Sequence, residues 1–326
     1  MRAVVCKQFA EPSALIVEEH PSPSLGVGQV RVGVHACGVN YPDALIVQGL
    51  YQVRPELPFT PGLEVAGEVL EVGQGVNHVQ VGDRVIALMN YGGYADEVVV
   101  PAEMVVTIPD NMPYTQAAAF AVAYGTSHVA LAHRGELRSG ETLLVLGASG
   151  GVGLTAVEIG KLMGAKVIAA ASTAEKLALC QQYGADYLIN YKEEDLREKV
   201  REYTGGRGAN VVLDPVGGDY TEAALRSTAW EGRLLVIGFA SGKIPSIPAN
   251  LPLLKNCSLV GVYWGEYARR NPRVLVESLA LLLEQYAAGR LKPHISQTYP
   301  LENAADALTA ILTRQAKGKL VLTTGR

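Results

Sequence analysis

A glycine-rich turn between an apolar run and a helical pattern constrains the fold of this chain most. The run Leu143-Leu-Val-Leu leads into Gly147-Ala-Ser-Gly-Gly-Val-Gly153, and a pattern of helical period follows at once. Such a turn leaves backbone amides and the positive end of a helix facing a ligand, which suits a pyrophosphate. Ser149 makes the turn one residue longer than Gly-x-Gly-x-x-Gly, and a purely structural turn is the alternative. The pattern predicts a dinucleotide site at Gly150, Gly151 and Val152.

The sequence around this turn alternates between short apolar runs and longer helical patterns. Strands are predicted at residues 142–147, 166–170, 187–189, 210–214, 233–238 and 258–262. Helices are predicted between them at residues 152–163, 174–183, 196–204 and 220–229. Six strands joined by helical crossovers predict an α/β fold with a doubly wound parallel sheet.

The first hundred residues follow a different rhythm. Apolar residues alternate in runs at 29–35, 65–72, 83–87 and 95–100, and Gly-Gln, Gly-Asp and Pro-Gly steps separate these runs. This pattern predicts an antiparallel, barrel-like domain. After the parallel sheet come an amphipathic helix at 272–288 and a last helix and strand ending at 323.

Length and charge exclude several classes of function. A chain of 326 residues predicts about two domains, and 28 basic against 32 acidic residues give a net charge of −4. That balance argues against nucleic acid as a partner. The four cysteines form no Cys-x-x-Cys pair, so neither a disulfide framework nor a four-cysteine zinc knuckle is predicted. No apolar run approaches the roughly 18 residues of a membrane span, and a reduced, cytoplasmic protein is expected.

The end of the second parallel strand indicates which dinucleotide binds. NAD-binding sheets usually carry an Asp or Glu there, whereas this chain has Ala171 and Ser172. Without that carboxylate a 2′-phosphate is not repelled, and Ser172 and Lys176 can hold it. The alternative is that Ser172 to Glu175 form a capping box and that Lys176 is a solvated helix residue. In addition, the negative charge of Glu175 would repel a phosphate if its side chain pointed into the site. The sequence favours NADPH over NADH.

Motifs along the whole chain carry a family resemblance. They are Cys37-Gly-Val-Asn-Tyr-Pro-Asp43, Thr60-Pro-Gly-Leu-Glu-Val-Ala-Gly67, Val81-Gly-Asp-Arg-Val85, Gly93-Tyr-Ala-Asp96, Ala185-Asp-Tyr-Leu-Ile-Asn-Tyr191, Asp214-Pro-Val-Gly217 and Gly318-Lys-Leu-Val-Leu322. Together they resemble the medium-chain dehydrogenase/reductase superfamily, in its zinc-free quinone oxidoreductase (zeta-crystallin-like) branch. The resemblance implies a GroES-like β-rich catalytic domain of residues 1–122 and 266–326 and a Rossmann domain of residues 123–265.

The zinc ligands of the related alcohol dehydrogenases do not recur in this sequence. Cys37 matches the first ligand, but Leu63 occupies the position of the histidine, and the closely spaced cysteines of the structural zinc lobe are missing. An isobutyl group does not replace imidazole, and one thiolate does not make a site. We therefore predict no metal requirement and expect Cys37 to be a small buried residue.

The resemblance also implies residues for the reacting end of the site. It places Asn40 beside the nicotinamide ribose and Tyr51 facing the substrate, where a related tyrosine is taken to be a proton donor; a tyrosine packed on a loop is the alternative. Thr126, with Gly238 and Phe239 at the end of the fifth strand, is implied at the nicotinamide. On the adenine side Tyr191 and Arg314 join Ser172 and Lys176.

Loss of the metal narrows the chemistry to acceptors that stabilise their own charge. The leading interpretation is an NADPH-dependent quinone oxidoreductase, in which hydride passes from NADPH to a quinone. An enone, alkenal or enoyl-thioester reductase is one alternative, and a crystallin-like protein that holds NADPH with little turnover is another. The resemblance further implies a homodimer joined through the sixth parallel strand, whose apolar edge can pair with a second copy.

Overall fold

The protein is described here by a computed structural model that covers residues 1–326. The strands are β1 Arg2–Val5, β2 Ile16–Glu19, β3 Gln29–Val39, β4 Glu64–Val72, β5 Arg84–Leu88, β6 Glu97–Pro101, β7 Val105–Thr107, β8 Thr142–Leu146, β9 Lys166–Ala171, β10 Tyr187–Asn190, β11 Ala209–Asp214, β12 Thr228–Val236, β13 Ser258–Gly261, β14 Ile295–Pro300 and β15 Lys319–Thr323. The α-helices are α1 Tyr41–Val47, α2 Tyr114–Ala118, α3 Ala121–His128, α4 Gly151–Leu162, α5 Ala174–Gln182, α6 Leu196–Tyr203, α7 Asp219–Ser227, α8 Asn250–Lys255, α9 Trp264–Arg270, α10 Pro272–Ala287 and α11 Ala304–Leu312.

Two units divide the chain. The first comprises Met1–Val122 and Lys292–Arg326, and the second comprises Ala123–Leu291. The first division falls where the sequence analysis placed it, whereas the chain returns to the first unit after Leu291 and not at residue 266. Helices α9 and α10 stay in the second unit because they pack there, and Ser278 Oγ lies 2.7 Å from Nδ1 of His128 on α3.

The first unit is built on a mostly antiparallel sheet. Its strands are ordered β14-β15-β3-β4-β5-β7, with β6 also pairing with β3, while β1 and β2 form a separate hairpin. Alternate valines of β3, at positions 30, 32 and 34, are fully buried, which is the period of two that a half-buried strand requires. Only β14 and β15 pair in parallel. The antiparallel β-rich domain predicted from the sequence is confirmed.

The second unit is a six-stranded parallel sheet in the order β10-β9-β8-β11-β12-β13. Strands β8, β9 and β11 are buried along nearly their whole length, as expected when helices cover both faces. The strand order reverses between β8 and β11, and ligands of such sheets bind beyond the carboxyl ends of the strands at this point. The predicted doubly wound α/β fold is confirmed, and the sixth strand, β13, lies at an edge.

Two further features concern helices. After α3 the backbone widens into a π-helical turn, Val129–Arg134, which the sequence analysis did not predict. No helix is both long enough and apolar enough to cross a membrane. A cytoplasmic location stays a prediction.

Candidate functional site

The glycine turn after β8 leaves the start of α4 open to a ligand. Gly147 has a φ of 55°, and a Cβ at Gly153 would lie 2.3 Å from the Gly147 carbonyl oxygen, so neither position tolerates a side chain well. At Gly150 the nearest atom to such a Cβ would be 3.4 Å away. Helix α4 begins at Gly151, and no side chain caps it. A ligand can therefore come close to the backbone at Gly150, next to the uncapped amides of α4. This geometry fits a pyrophosphate.

Loops from β11 and β12 lie at the same edge of the sheet. The carboxylate of Asp214 accepts hydrogen bonds from the backbone amides of Val216 and Gly217, both at 2.9 Å. This holds the loop against the glycine turn, since a Cβ at Gly147 would meet a Val216 methyl at 2.9 Å. Phe239 in turn packs on Gly217, where an added Cβ would lie 2.8 Å from its ring.

Gly238 follows β12 immediately before Phe239. A Cβ there would meet only the Pro215 carbonyl oxygen, at 3.7 Å. The structure thus brings Gly238 and Phe239, predicted at the nicotinamide, to the sheet edge that carries the glycine turn.

The end of β9 carries no carboxylate. Ala171 is buried at the end of the strand, and Ser172 is half-buried directly after it. The predicted capping box from Ser172 was wrong by one residue: Thr173 is the N-cap, and its hydroxyl accepts the backbone amide of Lys176 at 3.3 Å. Because Thr173 satisfies that donor, the Ser172 hydroxyl is not required for the cap.

Tyr191 lies on the neighbouring strand end. Its backbone amide donates to the Ala171 carbonyl at 3.2 Å, and its ring packs on Tyr220 with centroids 4.6 Å apart. Lys176 is half-buried in the first turn of α5. The structure therefore brings Ser172, Lys176 and Tyr191 to the carboxyl ends of β9 and β10.

Thr126 is buried on α3, next to the first turn of α4. Its neighbour Ser127 donates to the Val152 carbonyl at 2.9 Å and lies 2.8 Å from the Thr155 hydroxyl. These bonds hold α3 against the helix that the glycine turn begins. The predicted nicotinamide residue thus lies on a segment attached to the predicted pyrophosphate site.

In the first unit, Asn40 is enclosed by a buried ion pair. Lys319 Nζ donates to Asn40 Oδ1 at 2.5 Å and to Glu64 Oε1 at 3.1 Å, and Asn40 Nδ2 donates to the same Glu64 oxygen at 3.0 Å. The other Glu64 oxygen accepts the Val122 amide at 2.9 Å. The side-chain amide of Asn40 is therefore held at both ends, which fixes its orientation.

A second buried carboxylate lies one helical turn away. Asp43 Oδ2 accepts the backbone amide of Asn40 at 2.8 Å and the hydroxyl of Tyr94 at 2.9 Å, while Oδ1 has no hydrogen-bond partner. Burial raises the pKa of Asp43 to about 7. This carboxyl group can hold a proton at Oδ1 near neutral pH.

The other two predicted residues of the first unit, Tyr51 and Arg314, are less buried than Asn40. Tyr51 lies on the loop after α1, half-buried, and packs against the hydrophobic core of this unit. Arg314 is exposed and follows α11 with a φ of 59°. Of the four residues predicted on the adenine side, three therefore belong to the second unit and Arg314 to the first.

The positions compared with zinc ligands hold ordinary core residues. The Cys37 thiol is fully buried and donates to the Gly93 carbonyl at 3.1 Å, and burial raises its pKa. The prediction that Cys37 is a small buried residue is confirmed. Leu63 packs against the core, and no three His, Cys, Asp or Glu side chains are arranged to hold a metal ion. The absence of a metal requirement stays a prediction.

Sequence reasoning missed two charged side chains at these sites. Glu64 and Lys319 each begin a largely apolar strand, and a charged residue that is buried there signals an internal partner. The motifs that contain them were recognised, but their contact was not.

Comparison with known proteins agrees with this arrangement. Residues 26–110 match the alcohol dehydrogenase GroES-like domain, and residues 151–280 match the zinc-binding dehydrogenase family. A quinone oxidoreductase-like protein 2 homolog from Nematostella vectensis is 45% identical over 99% of this chain and 89% of its own length.

Solved structures give the same result. A probable oxidoreductase from Mycobacterium abscessus has a TM-score of 0.89 at 38% identity, covering 99% of this chain and 98% of that one. The Escherichia coli quinone oxidoreductase, solved in complex with NADPH, has a TM-score of 0.94 at 30% identity, covering 99% and 100%. The chain therefore belongs to the quinone oxidoreductase group of the medium-chain dehydrogenase/reductase superfamily and is an oxidoreductase.

Proposed function

We propose that this protein binds NADPH and reduces a quinone without the help of a metal ion. The observation that carries the proposal is the uncapped start of α4 behind an open glycine turn, next to a strand end that has Ala171 in place of a carboxylate. A relative of the same fold, from Escherichia coli, has been solved with NADPH. When bound, NADPH supplies the hydride.

The chain's own residues then have three tasks. The amides of Gly150, Gly151 and Val152 bind the pyrophosphate, because they lie at the positive end of α4. Ser172, Lys176, Tyr191 and Arg314 contact the 2′-phosphate. Thr126, Gly238 and Phe239 position the nicotinamide, with Asn40 held in one orientation by Glu64 and Lys319.

Tyr51 is the proposed proton donor to the reduced acceptor. A phenol is a suitable acid for an anionic oxygen, and a half-buried position leaves part of this side chain accessible. A quinone spreads the incoming negative charge over its conjugated oxygens, so no Lewis acid is needed. The names of the relatives favour a quinone over an enone or a thioester.

The exposed edge of β13 carries the proposal of a homodimer. Leu259 on this strand is 41% exposed. Strand β13 pairs with β12 along one edge, and its other edge has no partner strand. Unpaired backbone groups beside apolar side chains are suited to pairing with a second copy.

The proposal is tested by NADPH oxidation against ortho-quinones, para-quinones, enals and enoyl-CoA thioesters, with a chelator present. Quinone-dependent turnover that survives the chelator is expected. Tyr51→Phe should reduce kcat by 10²-fold or more, on the order expected for a general acid, whereas Tyr91→Phe, at an exposed tyrosine of the same unit, should not. If only enals or thioesters are turned over, the quinone is not the substrate. If the chelator abolishes activity and added zinc restores it, the metal-free mechanism is refuted.

A further inference from the structure

The side chains of Tyr220 and Tyr191 form a close aromatic pair in the second unit. Their ring centroids lie 4.6 Å apart, and the ring planes are tilted by 53°. Tyr191 directly follows β10, whereas Tyr220 lies in the first turn of α7. Both side chains are half-buried and also pack against the hydrophobic core of this unit. Tyr220 therefore supports the Tyr191 ring from a separate segment of the chain.

A buried carboxylate fixes the segment that carries Tyr220. Asp214 ends β11, and its Oδ2 atom accepts the hydroxyl of Thr221, the residue after Tyr220, at 2.6 Å. Its Oδ1 atom accepts the two backbone amides of the preceding loop that were described above. Asp214 is 2% exposed and Thr221 is 1% exposed, so water does not compete for these bonds. The start of α7 is thus attached to the carboxyl end of the sheet.

The backbone of Tyr191 is held at the strand end that lacks a carboxylate. Its amide donates to the Ala171 carbonyl at 3.2 Å. This bond fixes the backbone, but the direction of the side chain depends on what the ring packs against. Aromatic pairs at this separation contribute beyond the area that they bury. A hydroxyl that is already ordered by such packing binds a ligand more tightly, because less conformational entropy is lost on binding.

We propose that Tyr220 is a positioning residue that determines cofactor preference: its ring holds Tyr191 in the orientation from which the Tyr191 hydroxyl donates to the 2′-phosphate of NADPH. This inference rests on the proposed function. A phenol can donate one hydrogen bond, and a phosphate oxygen accepts it. NADH has a hydroxyl in place of this phosphate, so the contact favours NADPH. Tyr220 itself needs no contact with the cofactor.

A second tyrosine pair of the same strand provides a matched control. Tyr187 and Tyr203 stack with their ring centroids 4.6 Å apart. Tyr187 begins β10 and pairs with Ile168, three residues before Ala171 on β9. Removing the Tyr203 ring therefore deletes a comparable aromatic contact at the other end of the strand, away from the proposed phosphate site.

The test measures dissociation constants of NADPH and NADH by calorimetry. Tyr220→Leu removes the ring, and the ratio of the NADH constant to the NADPH constant should fall about fivefold, which is part of the roughly tenfold effect of one hydrogen bond to a charged group. Tyr220→Phe keeps the ring and should keep the ratio. Tyr203→Leu should leave the ratio unchanged. If Tyr220→Leu does not fold, Tyr220→Met takes its place, because a flexible thioether fills the space without a flat ring.

A double variant shows whether Tyr220 acts through Tyr191. Tyr191→Phe removes the hydroxyl and should by itself lower the ratio. Adding Tyr220→Leu to this variant should lower the ratio no further, because the group that Tyr220 orients is then missing. A direct contact between Tyr220 and the cofactor would instead give additive losses.

Four results would overturn the inference. They are an unaltered ratio in Tyr220→Leu, an equal fall in Tyr203→Leu, a fall in Tyr220→Phe as large as that in Tyr220→Leu, and additive losses in the double variant. Two other results would refute the proposed function on which it rests. One is an unsubstituted protein that does not prefer NADPH, and the other is a ratio that Tyr191→Phe leaves unchanged, which would remove Tyr191 from the 2′-phosphate site.

Discussion

Lys319 and Glu64 form a buried ion pair between β15 and β4, with Nζ and Oε1 3.1 Å apart. The ammonium group donates to the Val39 carbonyl, to Asn40 and to Glu64, which accounts for all three of its hydrogens. Complete hydrogen bonding is what makes a buried charge pair tolerable. The pair therefore joins two segments that are far apart in sequence and fixes the side-chain amide of Asn40 between them.

Removing one partner of this pair should destabilise the protein severely. Lys319→Met leaves the Glu64 carboxylate buried and uncompensated, and we expect the free energy of unfolding in urea to fall by about 3–5 kcal/mol. The double variant that also carries Glu64→Gln should regain much of the lost free energy of unfolding. Arg226→Met removes an exposed ion pair on α7 and should cost no more than about 0.5 kcal/mol. Equal losses in the two single variants would contradict this assignment.

Asp43 should make stability depend on pH near neutrality. Burial raises its pKa to about 7, from about 3.9 in an unfolded chain. A raised pKa means that the folded state holds the proton, so its stabilising contribution is complete below about pH 4 and is lost as pH rises through 7.

The measurement compares Asp43→Asn with the unsubstituted protein at pH 5 and pH 8. The substituted protein should lose less stability between these two values, since asparagine does not titrate. Asp110→Asn, at an exposed carboxylate, serves as the control. A parallel loss in all three proteins would show that Asp43 is not responsible.

Local patterns predicted most of the parallel sheet closely, because most strands and helices there are continuous runs of one period, although β12 begins at Thr228 and not at residue 233. Strand β9 ends at Ala171 and α4 starts at Gly151, each within one residue of its prediction. The Lys319–Glu64 contact was not predictable in this way, since the two residues meet only once β15 and β4 both flank β3.

A positive charge on the β13 edge should separate the proposed dimer. Light scattering of the unsubstituted protein should give twice the 34.6 kDa chain mass. Leu259→Lys places an ammonium group at the proposed junction and should yield the single-chain mass. Val276→Lys changes an apolar residue on α10 that is 55% exposed, and it should leave the dimer intact. A monomer before any substitution would refute the dimer.

Arg314 has a left-handed backbone that glycine adopts more easily. Its φ of 59° follows the end of α11, where glycine is usual. Arg314→Gly should therefore raise the free energy of unfolding by up to about 1 kcal/mol. The same substitution should weaken NADPH binding more than NADH binding, if the guanidinium contacts the 2′-phosphate. A stabilised protein with unaltered cofactor preference would remove Arg314 from the site.

The central claim is that the carboxyl end of β9 accepts a 2′-phosphate, and paired dissociation constants of NADPH and NADH test it most directly. Lys176→Met is measured beside Lys166→Met, which alters a lysine at the opposite end of the same strand. We predict that NADPH binds at least about tenfold more tightly than NADH, a difference of about 1.4 kcal/mol, and that only Lys176→Met reduces this ratio. Equal dissociation constants for the two cofactors in the unsubstituted protein would contradict the account.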